Sequence, residues 1–416
     1  MKDSGISWVG EIPKEWTIMP LYCFYSERKN KNIFGAENNL LSLSYGKVIR
    51  KDINTSEGLL PSNYNGYNIV EEGDIIIRPT DLQNDKRSLR TGLSKERGII
   101  TSAYIALKPK NGINSRFYHY LLHTYDILKV FYNMGNGVRQ GLNYDEFAKL
   151  MVYSPSDTEQ QRIAEFLDRE CGKIDGLKAD IQAQIDTLEQ YKRSVITEAV
   201  THGLNPSAPM KDSGAGWMPL IPLHWKADKL KFHLRQRGIK NQIDKQVLSL
   251  YREYGIVPKD SRDDNHNVTS EDVSDYRYVR VGDFVVNKMK AWQGSVAVSD
   301  YEGIVSPAYF VYEFSDDLIN KRYFHYLMRN KTYATEFRRL SGGIREGQWD
   351  LPSEALNNTI ILLPPLDEQQ EIADYLDNKC AEIEQIIADK KSQIETLDGY
   401  KKSLIYEYVT GKRECV

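Results

Sequence analysis

Leu167, Ile174, Ile181, Leu188 and Val195 fall seven residues apart in a stretch rich in Glu, Gln, Lys and Asp. Ile163, Leu177 and Ile185 add to the same face. An apolar seam of this spacing on a polar background predicts one long helix of the coiled-coil kind. A second stretch repeats it. Leu376, Ile383, Leu397 and Leu404 occupy matching positions, Ile387 and Ile394 widen the stripe, and Lys390 stands where the first copy has Ile181. Residues 158–201 align with 367–410 without a gap, and half of the paired positions are identical. At about 1.5 Å per residue each helix is a rod of roughly 60 Å. Alone it would leave its stripe in water, so the two copies are expected to cover each other. A two-fold relation between them would make them antiparallel, with one globule at each end. Lys390 is expected either as a polar contact within this bundle or as a frayed, solvent-facing site.

The duplication extends beyond the helix. Met1-Lys2-Asp3-Ser4-Gly5 recurs as Met210-Lys211-Asp212-Ser213-Gly214, and Trp8, Ile12, Pro13 and Trp16 recur as Trp217, Ile221, Pro222 and Trp225. Gly73-Asp74 before Ile75-Ile76-Ile77 parallels Gly282-Asp283 before Phe284-Val285-Val286, a turn followed by a short apolar run that predicts a strand. Residues 115–133 and 320–340 carry apolar and aromatic positions at three- and four-residue spacing and are predicted helical. Gly137-Val138-Arg139-Gln140-Gly141 parallels Gly343-Ile344-Arg345-Glu346-Gly347. Pro155 and Pro364-Pro365 precede the long helices, where proline is compatible with a helix start. The expected organisation is therefore two α+β globules, 1–154 and 210–363. They alternate with long helices in 155–204 and 364–416, and residues 205–209 form a linker.

Composition changes this picture little. The chain has 416 residues, 41% of them hydrophobic and 27% charged, ordinary values for a globular protein of two or more domains. No apolar run reaches the roughly 18 residues of a membrane span, and Met1-Lys2-Asp3-Ser4-Gly5 lacks the apolar core of a signal peptide. Four scattered cysteines read as reduced thiols, which favours a cytoplasmic setting. Charge is more informative by position. Residues 1–150 hold 20 basic and 16 acidic side chains, and residues 210–356 hold 22 and 20. The remainder is acidic, with a net charge of −9. The acidity lies in the helical repeats and their flanks, while the globules are mildly basic, which permits contact with nucleic acid.

Motifs for catalysis are missing. Gly46-Lys47, Gly172-Lys173 and Gly411-Lys412 lack the Ser or Thr and the upstream glycine of a phosphate loop. Gly135-Asn136-Gly137 is too short for a dinucleotide or S-adenosylmethionine loop. Pro364-Pro365 lies between leucines, unlike an amino-methyltransferase signature. Glu27-Arg28-Lys29 has the tail of a nuclease motif without its upstream Asp. His119 and His123 lack the Glu of a zinc-protease helix, and the match of His119 to His325 in an aromatic context reads as packing.

What remains suits recognition. Tyr45, Lys47, Arg78, Thr80, Gln83, Asn84, Arg139, Gln140 and Asn143 lie at turns of the first globule. Tyr251, Arg252, Asn287, Lys288, Lys290, Trp292, Gln293, Arg345, Gln348 and Trp349 do so in the second. Arg and Lys pair with guanine edges, Asn and Gln with adenine edges, and other cations hold phosphates. Arg139 and Arg345 match between the halves, which suits a common task such as holding a phosphate or a loop.

Two differing globules alternate with two near-identical helices that open Glu-Gln-Gln-x-Ile-Ala-x-aromatic-Leu-Asp (Glu159 to Asp168, Glu368 to Asp377), and each globule opens with Trp-x3-Ile-Pro-x2-Trp. Over essentially its whole length the chain resembles the specificity (S) subunit of type I restriction-modification systems. The resemblance implies two target recognition domains, each reading one half of a bipartite, asymmetric sequence in double-stranded DNA. It also implies an antiparallel coiled coil that sets the gap between the half-sites. Two modification (M) subunits and the restriction (R) subunits are the implied partners, and the chain itself is non-catalytic. S-adenosylmethionine, ATP and Mg²⁺ are expected on the partners, with none in this chain. The competing readings are a stand-alone nuclease acting on DNA and a structural tether with protein-binding globules.

Overall fold

Both predicted long helices form. In this computed structural model α1 (Ser115–Ile127), α2 (Tyr144–Phe147) and the 46-residue α3 (Asp157–His202) follow one another. Then come α4 (Lys321–Arg329), α5 (Lys331–Leu340), α6 (Ser353–Asn357) and the 44-residue α7 (Leu366–Val409). The structure describes residues 1–54, 63–80, 82, 89–130, 134, 141–252, 254–261, 269–343 and 349–415. The chain divides into two compact units. One joins Met1–Ile181 to Ser392–Val416, and the other is Gln182–Lys391. Each unit holds one globule and a stretch of both long helices.

Each globule is built on a four-stranded antiparallel sheet of the same order. In the first unit the order is Tyr25–Glu27, Ile105–Pro109, Ile75–Ile77, Thr91–Leu93. In the second it is Leu234–Arg237, Tyr309–Phe314, Phe284–Asn287, Val296–Val298. The uninterrupted run Ile75-Ile76-Ile77 has a simple cause. Ile75 and Ile77 face Phe117, Leu121 and Tyr125 of α1, while Ile76 faces Leu41, Val70 and Ile100 on the other side. A strand covered on both faces needs no polar alternation.

The glycine and aspartate before each central strand also have a physical role. Gly73 and Gly282 take the left-handed conformation (φ +87° and +85°) that a residue with a Cβ resists. Asp74 then accepts the Glu71 N–H at 2.9 Å and an Arg28 guanidinium N–H at 2.9 Å. Asp283 accepts the Arg280 N–H at 2.7 Å and pairs with Arg237. Arg28, the centre of the nuclease-like triplet, is thus occupied by a buried ion pair.

Two helix predictions need correction. The helix expected over 115–133 stops at Ile127, with Lys129 at φ +58° beyond its end. The one expected over 320–340 is two helices. The Asn330 side chain accepts from Thr332 and Tyr333 N–H, and this cap starts α5 where the apolar pattern ran straight on.

The seam covers itself within each unit. In the first, Ile163, Leu167 and Ile174 join a core with Leu404, Ile405 and Tyr408, and Leu397 packs against it. Ion pairs fix the direction: Asp175 meets Lys401 at 2.6 Å, and Lys178 meets Asp398. As numbers rise on α3 they fall on α7, so the helices are antiparallel. The second unit shows the same sense through Gln184–Lys390 and Lys192–Glu384. There Val195 packs with Leu376, while Ile185 and Ile383 are buried. Ile181 and Leu188 are half-buried. Leu177 departs from expectation and lies exposed, because Asp175 and Lys178 take the positions that meet α7. Lys390 resolves as a polar contact, donating to Gln184 Oε1 at 2.5 Å.

The repeated Arg–Asp pairs give a stability prediction. Asp74→Ala leaves the Arg28 guanidinium enclosed without its carboxylate, at an expected cost of about 3–5 kcal/mol, whereas Asp283→Ala leaves Arg237 with Glu313 at 3.1 Å and should cost less. Urea unfolding of the two variants measures it, and a loss below about 1 kcal/mol would contradict a structural role for the pairs.

Candidate nucleic-acid interface

The motif opening each long helix is a clasp for the globule beside it. Gln160 donates to Pro155 O at 3.0 Å, and Gln369 to Pro364 O at 2.9 Å, which secures the turn into the helix. Gln161 Oε1 accepts from Asn114, the N-cap of α1, at 2.7 Å, and Gln370 Oε1 from Asn320, the N-cap of α4, at 2.6 Å. Asp168 accepts from Arg116 and Tyr120, both at 2.8 Å. Asp377 accepts from Tyr326 at 2.8 Å and pairs with Arg322 at 3.1 Å. The same bonds recur in both units, so the two recognition-candidate surfaces hang on equivalent mounts.

In the first globule, strands Leu41–Ser44 and Lys47–Arg50 form a hairpin. Its two-residue turn, Tyr45-Gly46, has positive φ at both positions (46° and 77°), the primed geometry that matches strand twist. Tyr45 at the tip is 89% exposed although a tyrosine tolerates that conformation poorly. Lys47 projects beside it, its Nζ 3.6 Å from Asp175 on α3. Arg78 and Thr80 follow the central strand. Their carbonyls accept from the guanidinium of Arg90, a fully buried side chain that sequence reasoning missed. Leu142 N–H donates to Pro79 O at 2.9 Å, which brings the segment after the Gly-x-Arg-x-Gly element against this loop. Asn143 is part of a capping box, its Oδ1 accepting from Glu146 N–H at 2.9 Å. Gln83, Asn84, Arg139 and Gln140 lie outside the described residues.

The second globule makes the equivalent junction with different side chains. Leu351 N–H donates to Lys288 O at 3.0 Å, and Lys288 Nζ meets Asp350 at 2.9 Å. Trp292 and Trp349 meet edge to face at 5.7 Å, and Trp292 Nε1 donates to Met289 O. The Arg338 guanidinium at the end of α5 lies 5.7 Å from one ring and 5.9 Å from the other. Stacking of this kind restrains a cation in one orientation. Arg338 had no repeat or turn signal to mark it; only the fold places the last turn of α5 beside the tryptophans. Lys290 is exposed and Gln293 half-buried. Asn287, expected among surface amides, is instead buried, its Oδ1 accepting from Met289 N–H at 3.2 Å to shape the turn. Tyr251 and Arg252 sit on a second hairpin, Leu248–Tyr251 with Gly255–Pro258, where Arg252 O accepts from Arg329 at 2.7 Å. Arg345 and Gln348 lie outside the described residues.

The histidines lie under these hairpins. A Cβ on Gly46 would sit 3.6 Å from His123 Cε1, and one on Gly255 would sit 3.6 Å from His325 Cε1. Burial first, and a neighbouring His123 second, holds His119 down to about 3. Burial and Lys401 hold His123 to about 4, and burial and Arg329 hold His325 to about 3. All three are neutral packing groups at neutral pH. Among the described residues no three His, Cys, Asp or Glu side chains are grouped to hold a metal ion. Nor is any described helix long and apolar enough to cross a membrane.

Known proteins share this architecture. A family model described as the type I restriction modification DNA specificity domain matches residues 26–187 and 239–396. The type I restriction enzyme MjaVIII specificity subunit of Methanocaldococcus jannaschii is 26% identical over 368 residues, covering 83% of this chain and 80% of that protein. A chain solved in work on complex assembly and conformational transition of the type I R-M system superposes with a TM-score of 0.67 at 12% identity, over 97% of this chain and 100% of that one. The HsdS subunit from Thermoanaerobacter tengcongensis gives 0.51 at 13% identity, over 99% and 100%. At such identities the solved chains speak to the fold alone.

The buried histidines make stability depend on pH. Their folded values lie below the unfolded value of about 6.5, so the unfolded chain takes up the extra protons. Their contribution is complete above about pH 6.5 and is lost as pH falls toward the folded values, by about 2 kcal/mol per histidine at pH 5. Urea midpoints at neutral pH and at about pH 5 measure this, and a His119→Phe, His123→Phe, His325→Phe variant should flatten the dependence. Equal midpoints in the parent protein would refute the assignment.

Proposed function

The chain belongs to the type I restriction modification DNA specificity family, and on that premise we propose that its two globules, residues 1–154 and 210–363, each read one half of a bipartite, asymmetric DNA target. The long helices, in 155–204 and 364–416, space the two halves and dock two M subunits, which are directed to methylate adenine. R subunits join the assembly for restriction. The chain itself is non-catalytic, works in the cytoplasm and carries no cofactor, with S-adenosylmethionine, ATP and Mg²⁺ on the partner subunits.

The observation that carries this reading is the contrast between a repeated frame and unrepeated rims. Sheet order, the Arg–Asp pair and the helix clasp recur in both units. The loops at the equivalent junction do not: where one globule has Arg78 and Thr80, the other has Lys288, Lys290, Trp292 and Trp349. Two like partners meeting two like helices while two unlike sequences are read would produce that pattern. Tyr45 and Lys47, Tyr251 and Arg252, and the cation at Arg338 held by two tryptophans supply donors and apolar edges of the kinds that read a major groove. Lys290 suits a phosphate.

Co-expression with the M partner should yield methylation at a two-part motif. Exchanging residues 1–150 for the corresponding globule of another specificity subunit should rewrite one half only. A change in both halves, or in neither, would reject the modular reading. In the assembled complex Lys290→Ala should weaken binding across sequences alike and reduce the slope of log K against log salt by about one. An unchanged slope would remove Lys290 from the phosphate contacts.

A further inference from the structure

Trp16 and Trp225 are fully buried, and each lies between the first turn of one long helix and the glycine just past the end of the other. Trp16 Nε1 donates to Glu159 Oε2 at 3.0 Å, in the first turn of α3. Its ring also meets the end of α7. Gly411 stands there at φ +65°, and a Cβ on it would fall 2.5 Å from Pro13 Cδ and 3.0 Å from Trp16 Cη2. Lys412 continues the contact by donating to Val9 O at 2.9 Å. The second unit repeats the arrangement. Trp225 Nε1 donates to Glu368 Oε1 at 3.1 Å in the first turn of α7, and Gly203, at φ +77° past the end of α3, would place a Cβ 3.3 Å from Trp225 Cζ2. Backbone pairing sets each tryptophan further. The strand leading into α3, Met151–Ser154, pairs with Thr17–Pro20 directly after Trp16. Ile360–Leu363, leading into α7, pairs with Lys226–Lys229 directly after Trp225.

We infer that Trp16 and Trp225 are positioning residues that set the angle of each globule on its helix pair, and thereby the number of base pairs allowed between the two half-sites. The inference rests on the bipartite reading above. The physical argument is one of degrees of freedom. A globule attached to one helix end alone can pivot about it. Here one rigid indole is bonded to the start of one helix and seated against the end of the other, so the globule is held at two points. Glycine suits both helix ends: each takes a positive φ, a Cβ on Gly411 would clash with Pro13 and crowd Trp16, and one on Gly203 would press closely on Glu368 and Trp225. None of these groups is positioned to read a base, so the effect of loosening them falls on spacing and leaves half-site identity alone.

The test uses the full chain co-expressed with its M partner, with methylation mapped across a library of half-sites separated by varied gaps. Trp16→Phe removes the donor and keeps most of the ring, and Glu159→Ala leaves the ring in place, so a failure of one to fold leaves the other informative. Both should keep the half-site sequences while the ratio of off-gap to on-gap methylation rises about tenfold, the equivalent of one factor of ten in an equilibrium constant. Glu159→Gln retains a carbonyl acceptor and should restore the parent ratio. A uniform fall in methylation with an unchanged gap profile would overturn the inference and leave the tryptophans as ordinary core. A parent map without a two-part target would instead overturn the reading beneath it, and the inference with it.

Discussion

An apolar stripe running along a helix of more than forty residues cannot stay in water. The rest of the molecule depends on how that stripe is covered. Here each long helix is the cover for the other, within both units, and the ion pairs Asp175–Lys401 and Glu384–Lys192 stand at equivalent places of the repeat. Antiparallel pairing has a topological consequence. The first globule must share its unit with the last residues of the chain, and Gly411 and Lys412 do pack on Pro13, Trp16 and Val9. A parallel pair would have put like ends together and left these contacts unmade.

The repeat, the seam and the α+β globules were legible in the sequence because each rests on a periodic signal. Period seven marks a helix interface, and a translation of 209 residues marks the duplication. What escaped rests on single side chains acting out of period. Asn330 ends one helix and begins another through one cap, inside an apolar pattern that continues unbroken. Leu177 has the spacing of a seam residue, yet charged neighbours that pair across the helices take its place. Arg28 and Arg90 look like surface cations in any composition count, and both are enclosed by the groups they bind. The candidate interface was legible only as a set of residue types at turns. That segments some sixty residues apart meet through the Leu142–Pro79 and Leu351–Lys288 bonds is a property of the fold.

The division between shared and divergent positions follows from what each must do. Groups that bind backbone, such as Gln160 and Gln369, or that bind one fixed partner, such as Asp168 and Asp377, have no freedom to change without loss of the mount. Rim positions carry partners local to their own globule, as Lys288 has in Asp350 and Trp292 in Met289, and these can change together provided the strand ends beneath them hold. The same junction can therefore present an Arg and Thr in one globule and a pair of tryptophans with a cation in the other. Asn143 and Asn287 belong to the first class despite their residue type, since one caps a helix and the other closes a turn.

Charge separates the two kinds of surface further. The helical segments carry the excess of carboxylates, and part of that excess is spent along the seam or on the globules: Asp175 on Lys401 and Lys47, Asp168 on Arg116, Asp377 on Arg322. The remaining carboxylates on the outer helix faces repel a polyanion while leaving the helices open to protein. The globules have the opposite balance, and their exposed hairpin tips and junction loops include Lys47 and Lys290 beside aromatic groups. Under the proposed function, this charge division would turn a DNA duplex away from the helices and draw it to the rims before any base is read. On the proposed reading, register on the target rests on how firmly each rim is held to its helices, which is why the inferred positioning role falls to the buried indoles at the helix ends.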